Sequence, residues 1–144
     1  MELKQQVTSL ELSKKLKELG VKQESLYKWN VPELSDEEKE KGHGYLDSEL
    51  VPKLYTEEQW EVYAEDYIPP NSKIYSAFTV AELGEMLPLQ LRSPNPPIHL
   101  AEVYCRLKAP KGYKVSWGGQ EFFADTEANV RAKMLIYLLE NKLI

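Results

Sequence analysis

Few side chains in this sequence have the chemistry of metal ligands or nucleophiles: two histidines, His43 and His99, and one cysteine, Cys105. Imidazole and thiolate groups bind zinc, and a thiolate can also act as a nucleophile. His99 and Glu102 lie three positions apart on a predicted strand, so they point to opposite faces and cannot share a metal ion. Cys105 falls on the apolar face of the same strand, which indicates a buried structural thiol. We expect no metal site.

Other catalytic patterns are missing from the sequence as well. Neither histidine stands in an HExxH pattern, and no segment matches the phosphate-binding pattern GxxxxGK. Gly118-Gly119 is interpreted instead as the two-residue connection of a β-hairpin. The chain has 23 acidic residues, but no pair of them is singled out by the apolar setting that acid–base catalysis uses. We therefore predict a protein that is not an enzyme and has no cofactor.

Acidic side chains are concentrated in the first half of the chain. Residues 1–70 hold 9 lysines and 16 acids, a net charge of −7, whereas residues 71–144 hold 9 basic and 7 acidic residues, a net charge of +2. The acids are densest at 33–40 and 57–66. This balance argues against a general polyanion-binding protein. Two interpretations of the acids stay open, a solvated surface and an edge that attracts a basic partner.

The acidic segment 57–66 is predicted to be a helix, and it carries an aromatic stripe. Trp60, Tyr63 and Tyr67 have the spacing i, i+3, i+7 that places side chains on one helical face. Aromatic residues are enriched at binding hot spots, and acids such as Glu61 would form a charged rim. The sequence thus predicts a protein interface at these four residues. The alternative is that the aromatic side chains face the protein's own core.

A second functional hypothesis comes from residues 12–29, LSKKLKELGVKQESLYKW. The pattern is similar to a DNA-binding helix-turn-helix, in which one helix ends at a glycine, here Gly20, and a second helix, here at 23–29, enters the major groove. The side chains that would contact DNA are Lys22, Gln23, Ser25 and Lys28. Residues 9–29 hold 5 lysines and 3 glutamates, a weak net charge of +2. An ordinary helical hairpin is therefore the alternative.

Three threonines have the spacing of a capping box and predict the starts of helices. The first predicted helix runs from Leu10 to Leu19 and ends at Gly20, which can adopt the left-handed stop conformation. Residues 33–55, between the first and second boxes, are predicted to be a long loop. The three boxes are Thr8 with Glu11, Thr56 with Gln59, and Thr79 with Glu82.

Near the C-terminus the apolar pattern changes to a period of two, which indicates strands. One strand is predicted at 98–109, and two more at 113–117 and 120–124 form a hairpin around the two glycines. Asp125 is predicted to be the N-cap of a C-terminal helix. That helix is apolar over most of its circumference, so we expect it to pack on two sides.

The fold class that follows is α+β. A small three-stranded antiparallel sheet carries the C-terminal helix, and the N-terminal helices form a second layer. The 144 residues fit a single domain, divided into a helical hairpin at 1–31, an acidic helix and loop region at 32–97, and a β-β-β-α unit at 98–144. The N-terminal sequence does not resemble a signal peptide, and no apolar run approaches about 20 residues. We expect a cytoplasmic protein with no membrane partner.

Three segments resemble parts of a known group of proteins. LKELGVKQESLYKW (16–29), SAFTVAELGEMLP (76–88) and FFADTEANVRAKMLIYLLEN (122–141) resemble, in that order, small uncharacterised proteins of phages, prophages and other mobile elements. Some of these proteins are described as a phage α–β–α sandwich domain. The resemblance implies a mobile-element origin and a small sheet flanked by helices, and it supplies no catalytic residue. We therefore expect a non-catalytic protein that acts through protein–protein contacts, with DNA binding through residues 12–29 as the alternative.

Overall fold

The computed structural model of the chain describes residues 2–63, 68–87, 90–91, 98–99, 106–107, 112–117 and 120–144. The chain forms two compact units. We call Met1–Lys22 with Phe78–Ile144 the terminal unit and Gln23–Ala77 the central unit. The predicted subdivision at 31/32 and 97/98 differs from these bounds, because residues 1–22 belong with the C-terminal half rather than with 23–31. That the chain is a single domain stays a prediction.

The described residues contain both helices and strands. The helices are α1 (Leu3–Gln6), α2 (Leu10–Glu18), α3 (Asp36–Lys41), α4 (Glu57–Tyr63), α5 (Val80–Met86) and α6 (Glu127–Glu140), with a short 3-10 helix at Asp47–Glu49. The strands are β1 (Tyr27–Val31), β2 (Lys53–Thr56), β3 (Lys73–Ser76), β4 (Gln90–Leu91), β5 (Ile98–His99), β6 (Arg106–Leu107), β7 (Tyr113–Trp117) and β8 (Gln120–Ala124). Among these residues no helix is long and apolar enough to cross a membrane.

Helix α6 is the centre of the terminal unit. It contacts β7 and β8 of the antiparallel sheet β6-β7-β8, and it also contacts α2 and α5. Seven of its 14 residues are buried, and the six apolar ones among them share one core with Leu16, Phe78 and Val115. This arrangement confirms the predicted α+β fold, with the C-terminal helix packed on the sheet and an N-terminal helix beside it.

The predicted hairpin is present in the terminal unit. Strands β7 and β8 pair antiparallel, with Trp117 opposite Gln120. The predicted strand at 98–109 is described only in part and does not have one partner. Ile98–His99 pairs with β4, whereas Arg106–Leu107 pairs with β7. The rest of that strand, including Glu102 and Cys105, lies outside the described residues.

The predicted capping box of Thr79 with Glu82 is confirmed, and so is the predicted helix stop at Gly20. Thr79 Oγ1 accepts from the Glu82 amide at 3.2 Å, and Glu82 Oε2 accepts from the Thr79 amide at 2.7 Å. Gly20 follows α2 with a φ of +85°, a conformation that glycine adopts without a Cβ clash. Both features reflect local chemistry that a short window of sequence contains.

Two other N-cap residues lie one position later than predicted, although α2 starts at Leu10 as predicted. Ser9, not Thr8, caps α2, because the Thr8 hydroxyl is instead buried against the Phe78 amide, from which it accepts at 3.0 Å. Thr126, not Asp125, caps α6 and accepts from the Asn129 amide at 3.2 Å. In both cases two capping residues stand side by side. The tertiary hydrogen bond of Thr8 leaves the cap to Ser9, whereas the Asp125 carboxylate accepts from the Asn129 side chain at 3.1 Å.

The central unit is built on a second sheet that the sequence analysis does not predict. Strand β1 lies in its middle and pairs antiparallel with β2 on one side and β3 on the other. The predicted helix at 23–29 is therefore wrong. Tyr27, Trp29 and Val31 are aromatic or β-branched residues at alternate positions, which suits a central strand, and Trp29 is buried at 9% exposure.

The long loop predicted at 33–55 is also wrong as a single description. Its residues contain α3, the 3-10 helix and most of β2. Ser35 caps α3 with a full capping box that includes Glu38. Strand β2 has only four residues, too few for a clear sequence pattern, and it is stabilised by pairing with β1. Such a short strand can be predicted only when its partner strand is known.

Candidate protein-binding surface

The sheet of the central unit places Tyr55 beside the helix that carries the predicted interface. Tyr55 lies on β2 directly opposite Lys28 of β1, so the two side chains share one face of the sheet. Helix α4 begins two residues later. Its start is fixed by the predicted capping box, in which Thr56 Oγ1 accepts from the Gln59 amide at 3.2 Å and Gln59 Oε1 accepts from the Thr56 amide at 3.1 Å. This prediction is confirmed.

Tyr55 contacts the rings of both Trp60 and Tyr63, and we call these three aromatic side chains the aromatic cluster. The rings of Tyr55 and Trp60 meet edge to face with centroids 6.0 Å apart. Tyr55 and Tyr63 are inclined at 46° with centroids 6.5 Å apart. Lys28 Nζ lies 6.0 Å from the Trp60 ring centroid. These are the separations at which aromatic pairs and cation–π contacts stabilise a structure.

The cluster borders a cavity of about 240 Å³ lined by Glu49, Lys53, Tyr55 and Tyr63. Glu49 is held in place because its Oε2 accepts from the Leu46 amide at 3.0 Å. Burial raises the pKa of the Tyr55 phenol above its ordinary value of 10.0, and the charge of Glu49 adds to the rise. The cavity therefore combines aromatic walls, one carboxylate and one ammonium group.

The helix itself exposes apolar side chains. None of the residues of α4 is buried; Val62 is 67% exposed and Tyr63 is 42% exposed. Trp60 is half-buried against Tyr55 and Lys28, as expected if this ring faced the protein's own core. The alternative interpretation of the stripe therefore applies to Trp60 but not to Tyr63. Leu46 and Val51, in the preceding segment, are also exposed at 65% and 47%.

The net negative charge of the chain lies in the central unit. Gln23–Ala77 contains 5 lysines and 13 acids, a net charge of −8, whereas the terminal unit contains 13 basic and 10 acidic residues, a net charge of +3. Glu57, Glu58 and Glu61 of α4 are all exposed. An excess of this size on 55 residues attracts cationic partners over distances near the Debye length of about 8 Å.

The described residues of the predicted interface differ in exposure. Tyr63 and Glu61 are exposed on α4, Trp60 is half-buried on the same helix, and Tyr67 lies outside the described residues. Sequence reasoning missed Tyr55, which joins the other aromatic residues through β2, and it missed Glu49 and Lys53 of the cavity. The only sequence signal for Lys53 and Tyr55 is the short segment KLYT at 53–56, most of which the loop prediction covered, and Glu49 has no such signal.

The helix-turn-helix predicted at 12–29 is not formed, because Tyr27–Val31 is a strand. Ser25 is 5% exposed, and its hydroxyl donates to the Ala77 carbonyl at 2.8 Å. Gln23 Oε1 accepts from the Ser76 amide at 2.8 Å. Lys28 lies against Trp60 and Lys22 is exposed in the terminal unit. The four side chains therefore do not form the DNA-reading row of a recognition helix.

The residues with metal or nucleophile chemistry are not brought together in the described structure. His43 is exposed, and its Nδ1 accepts from the Tyr45 amide at 3.2 Å. The side chains of His99 and Cys105 lie outside the described residues. Within the residues that the structure describes, no group of three histidine, cysteine, aspartate or glutamate side chains is placed to hold a metal ion.

Comparisons of the chain with protein-family models, with curated proteins and with solved structures found no match.

Proposed function

We propose that this chain is a small non-catalytic protein that binds another protein through its central unit. The surface we assign to this role, the acidic-aromatic surface, consists of Glu49, Tyr55 and α4 (Glu57–Tyr63). Its origin in a phage or prophage and its location in the cytoplasm are part of the proposal. The origin is supported by the resemblance of the three segments named above.

The observation that carries the proposal is the exposure of Val62 and Tyr63 on a helix that buries none of its residues. Exposed apolar side chains in a charged surrounding match the usual anatomy of an interface, in which an apolar centre is surrounded by a polar rim. The three exposed glutamates of α4 would form that rim. Together with the net charge of −8 of the central unit, they favour a partner with basic residues around an apolar contact.

A paired capture experiment tests this proposal. The full-length protein and its Val62→Ser/Tyr63→Ser variant would be immobilised and exposed to lysate of the same host cells, and retained proteins quantified by mass spectrometry. We expect partners of the wild type to be lost from the variant, because truncating central interface residues weakens binding by ≥ about 2 kcal/mol.

The matched control is Phe123→Ser, which removes a comparably exposed aromatic side chain (52%) from the terminal unit. This variant should retain the partners, and circular dichroism should show that all three proteins are folded. Loss of the same partners from Phe123→Ser, or their retention by Val62→Ser/Tyr63→Ser, would contradict the assignment of the surface.

The DNA-binding alternative has no observation in its favour. Its second helix is replaced by β1, and Gln23 and Ser25 are engaged by Ser76 and Ala77 within the central unit. Fluorescence anisotropy with a labelled random duplex at low salt should show no binding, and affinity that falls steeply with salt would restore this alternative.

A further inference from the structure

The cavity beside the aromatic cluster is a concave feature of the acidic-aromatic surface. Tyr55 and Tyr63 line it, with their rings in contact and the ring centroids 6.5 Å apart, and Glu49 and Lys53 complete the lining. Its volume of about 240 Å³ is below the roughly 300–1,000 Å³ of pockets for drug-sized ligands. The cavity therefore fits a single long side chain rather than a whole small molecule.

The chemistry of the lining selects the type of side chain. An acidic guest would be repelled by Glu49 and by the net charge of −8 of the central unit. An apolar guest would cover the Glu49 carboxylate without giving it a hydrogen bond, which is costly. A cation is attracted both by the aromatic faces and by the carboxylate.

Among cations, arginine matches this lining better than lysine. The guanidinium group is planar, so it can stack on a tyrosine ring and donate to a carboxylate at the same time, whereas an ammonium group is a compact and more strongly hydrated point charge. Glu49 is already oriented by its bond from the Leu46 amide through Oε2. Its Oε1 accepts no hydrogen bond from the residues that the structure describes, so it is available to a guest.

We propose that this cavity is an arginine-binding pocket, in which an arginine side chain of the partner packs against Tyr55 and Tyr63 and beside Glu49. This inference rests on the proposed function, since it names the residue by which the partner is anchored. Lys53 is the one cation in the described lining, and its charge opposes the guest. Removing the two lining charges therefore has opposite effects on binding.

The test uses a fluorescein-labelled peptide in which arginine alternates with leucine, and matched peptides with lysine or citrulline in place of arginine. Citrulline keeps the shape of arginine but has no charge. Fluorescence anisotropy would measure the affinity of the full-length protein and its variants at low salt. We expect the arginine peptide to bind about threefold to tenfold more tightly than the lysine peptide, and the citrulline peptide to bind least.

Charge variants with matched controls locate the binding. Glu49→Gln should weaken the arginine peptide about threefold to tenfold, and Lys53→Gln should tighten it. Glu37→Gln and Lys41→Gln make the same changes in net charge on α3, where the two side chains form an exposed ion pair with each 74% exposed. These controls should change the affinity by less than about twofold. Thermal melts would show that all variants are folded.

The outcomes separate the pocket from the surface. If arginine and lysine peptides bind equally well, or if Glu49→Gln acts like Glu37→Gln, the arginine pocket is refuted while binding of basic chains by the central unit stands. If neither basic peptide binds the wild type, the pocket and the proposed function both fail. Opposite effects of Glu49→Gln and Lys53→Gln, absent from the α3 controls, would establish the pocket.

Discussion

Helices α6 and α4 show how differently the two units of this chain use their apolar side chains. Seven of the 14 residues of α6 are buried, whereas α4 buries none of its residues and exposes Val62 and Tyr63. Asn129 shows how firmly α6 is fixed, because its side chain accepts from the Ser9 amide at 2.8 Å and donates to Asp125 at 3.1 Å. Helix α6 is scaffold, and α4 is surface.

The difference teaches that apolar content alone does not separate a helix that forms a core from a helix that exposes its apolar side chains. Both helices carry aromatic and aliphatic residues, but those of α6 contact strands and helices of their own unit. In α4 the ring of Trp60 is covered by Tyr55 and Lys28, while Val62 and Tyr63 stay open to solvent. A helix can thus be attached by one aromatic residue and leave other apolar side chains exposed.

The largest expected effect tests the difference between α6 and α4 directly. Leu135→Asp on α6 should prevent the terminal unit from folding, because Leu135 is 2% exposed and an unpaired buried charge costs several kcal/mol. The same change at Val62 on α4 should alter the free energy of unfolding by less than about 1 kcal/mol, because that side chain is exposed. Circular dichroism and urea denaturation of the two variants check both statements. Equal destabilisation would show that α4 is part of a core.

A smaller effect is expected within α4 itself. Trp60→Ala should lower the free energy of unfolding by about 1 to 2 kcal/mol, roughly half the cost for a fully buried aromatic residue. Tyr63→Ala should lower it by less than about 1 kcal/mol, since Tyr63 is more exposed. Chemical denaturation of the full-length variants measures both values. A cost of about 3 kcal/mol or more for Tyr63→Ala would place that ring in the core and remove it from the binding surface.

The two units also differ in how far their sequences predict them. The hairpin of β7 and β8, helix α6 and the capping boxes at Thr79 and Thr56 are encoded by neighbouring residues, so a short window predicts them. Within a short window the sequence of β1 also fits a helix, since Leu26 and Trp29 are three residues apart. The segment is a strand rather than a helix because it pairs with β2 and β3, which are distant in sequence.

The same limit applies to the prediction of the candidate site. Trp60, Glu61 and Tyr63 were predicted because they share one helix. Tyr55 could not be predicted, because it joins the cluster through the register that places it opposite Lys28. The cavity residues Glu49 and Lys53 were hidden for the same reason. Spacing reveals partners on one element, and side chains brought together by strand pairing require the fold.

The smallest expected effect concerns the titration of Tyr55. Its pKa is raised in the folded protein by burial and by Glu49, so the folded state keeps the phenolic proton at a pH where the unfolded chain begins to lose it. The stabilisation is therefore complete below about pH 10 and is lost as the pH rises through the folded pKa. The Tyr55→Phe variant lacks the phenolic hydroxyl and so has no such titration at this position.

Urea denaturation at a series of alkaline pH values would measure this effect. Above about pH 10 the wild type should lose stability faster than Tyr55→Phe, and the two proteins should have parallel pH profiles below it. Identical profiles at all pH values would contradict a raised pKa of Tyr55 in the folded protein.

The central claim is that the acidic-aromatic surface of the central unit binds a basic, partly apolar chain. The most direct test is a titration of the ¹⁵N-labelled full-length protein with the arginine–leucine peptide, followed by ¹H–¹⁵N correlation spectra. We predict that the largest shift changes occur in residues 49–63 and at Lys28. Changes centred on α6, β7 and β8, or no changes at low salt, would contradict the claim.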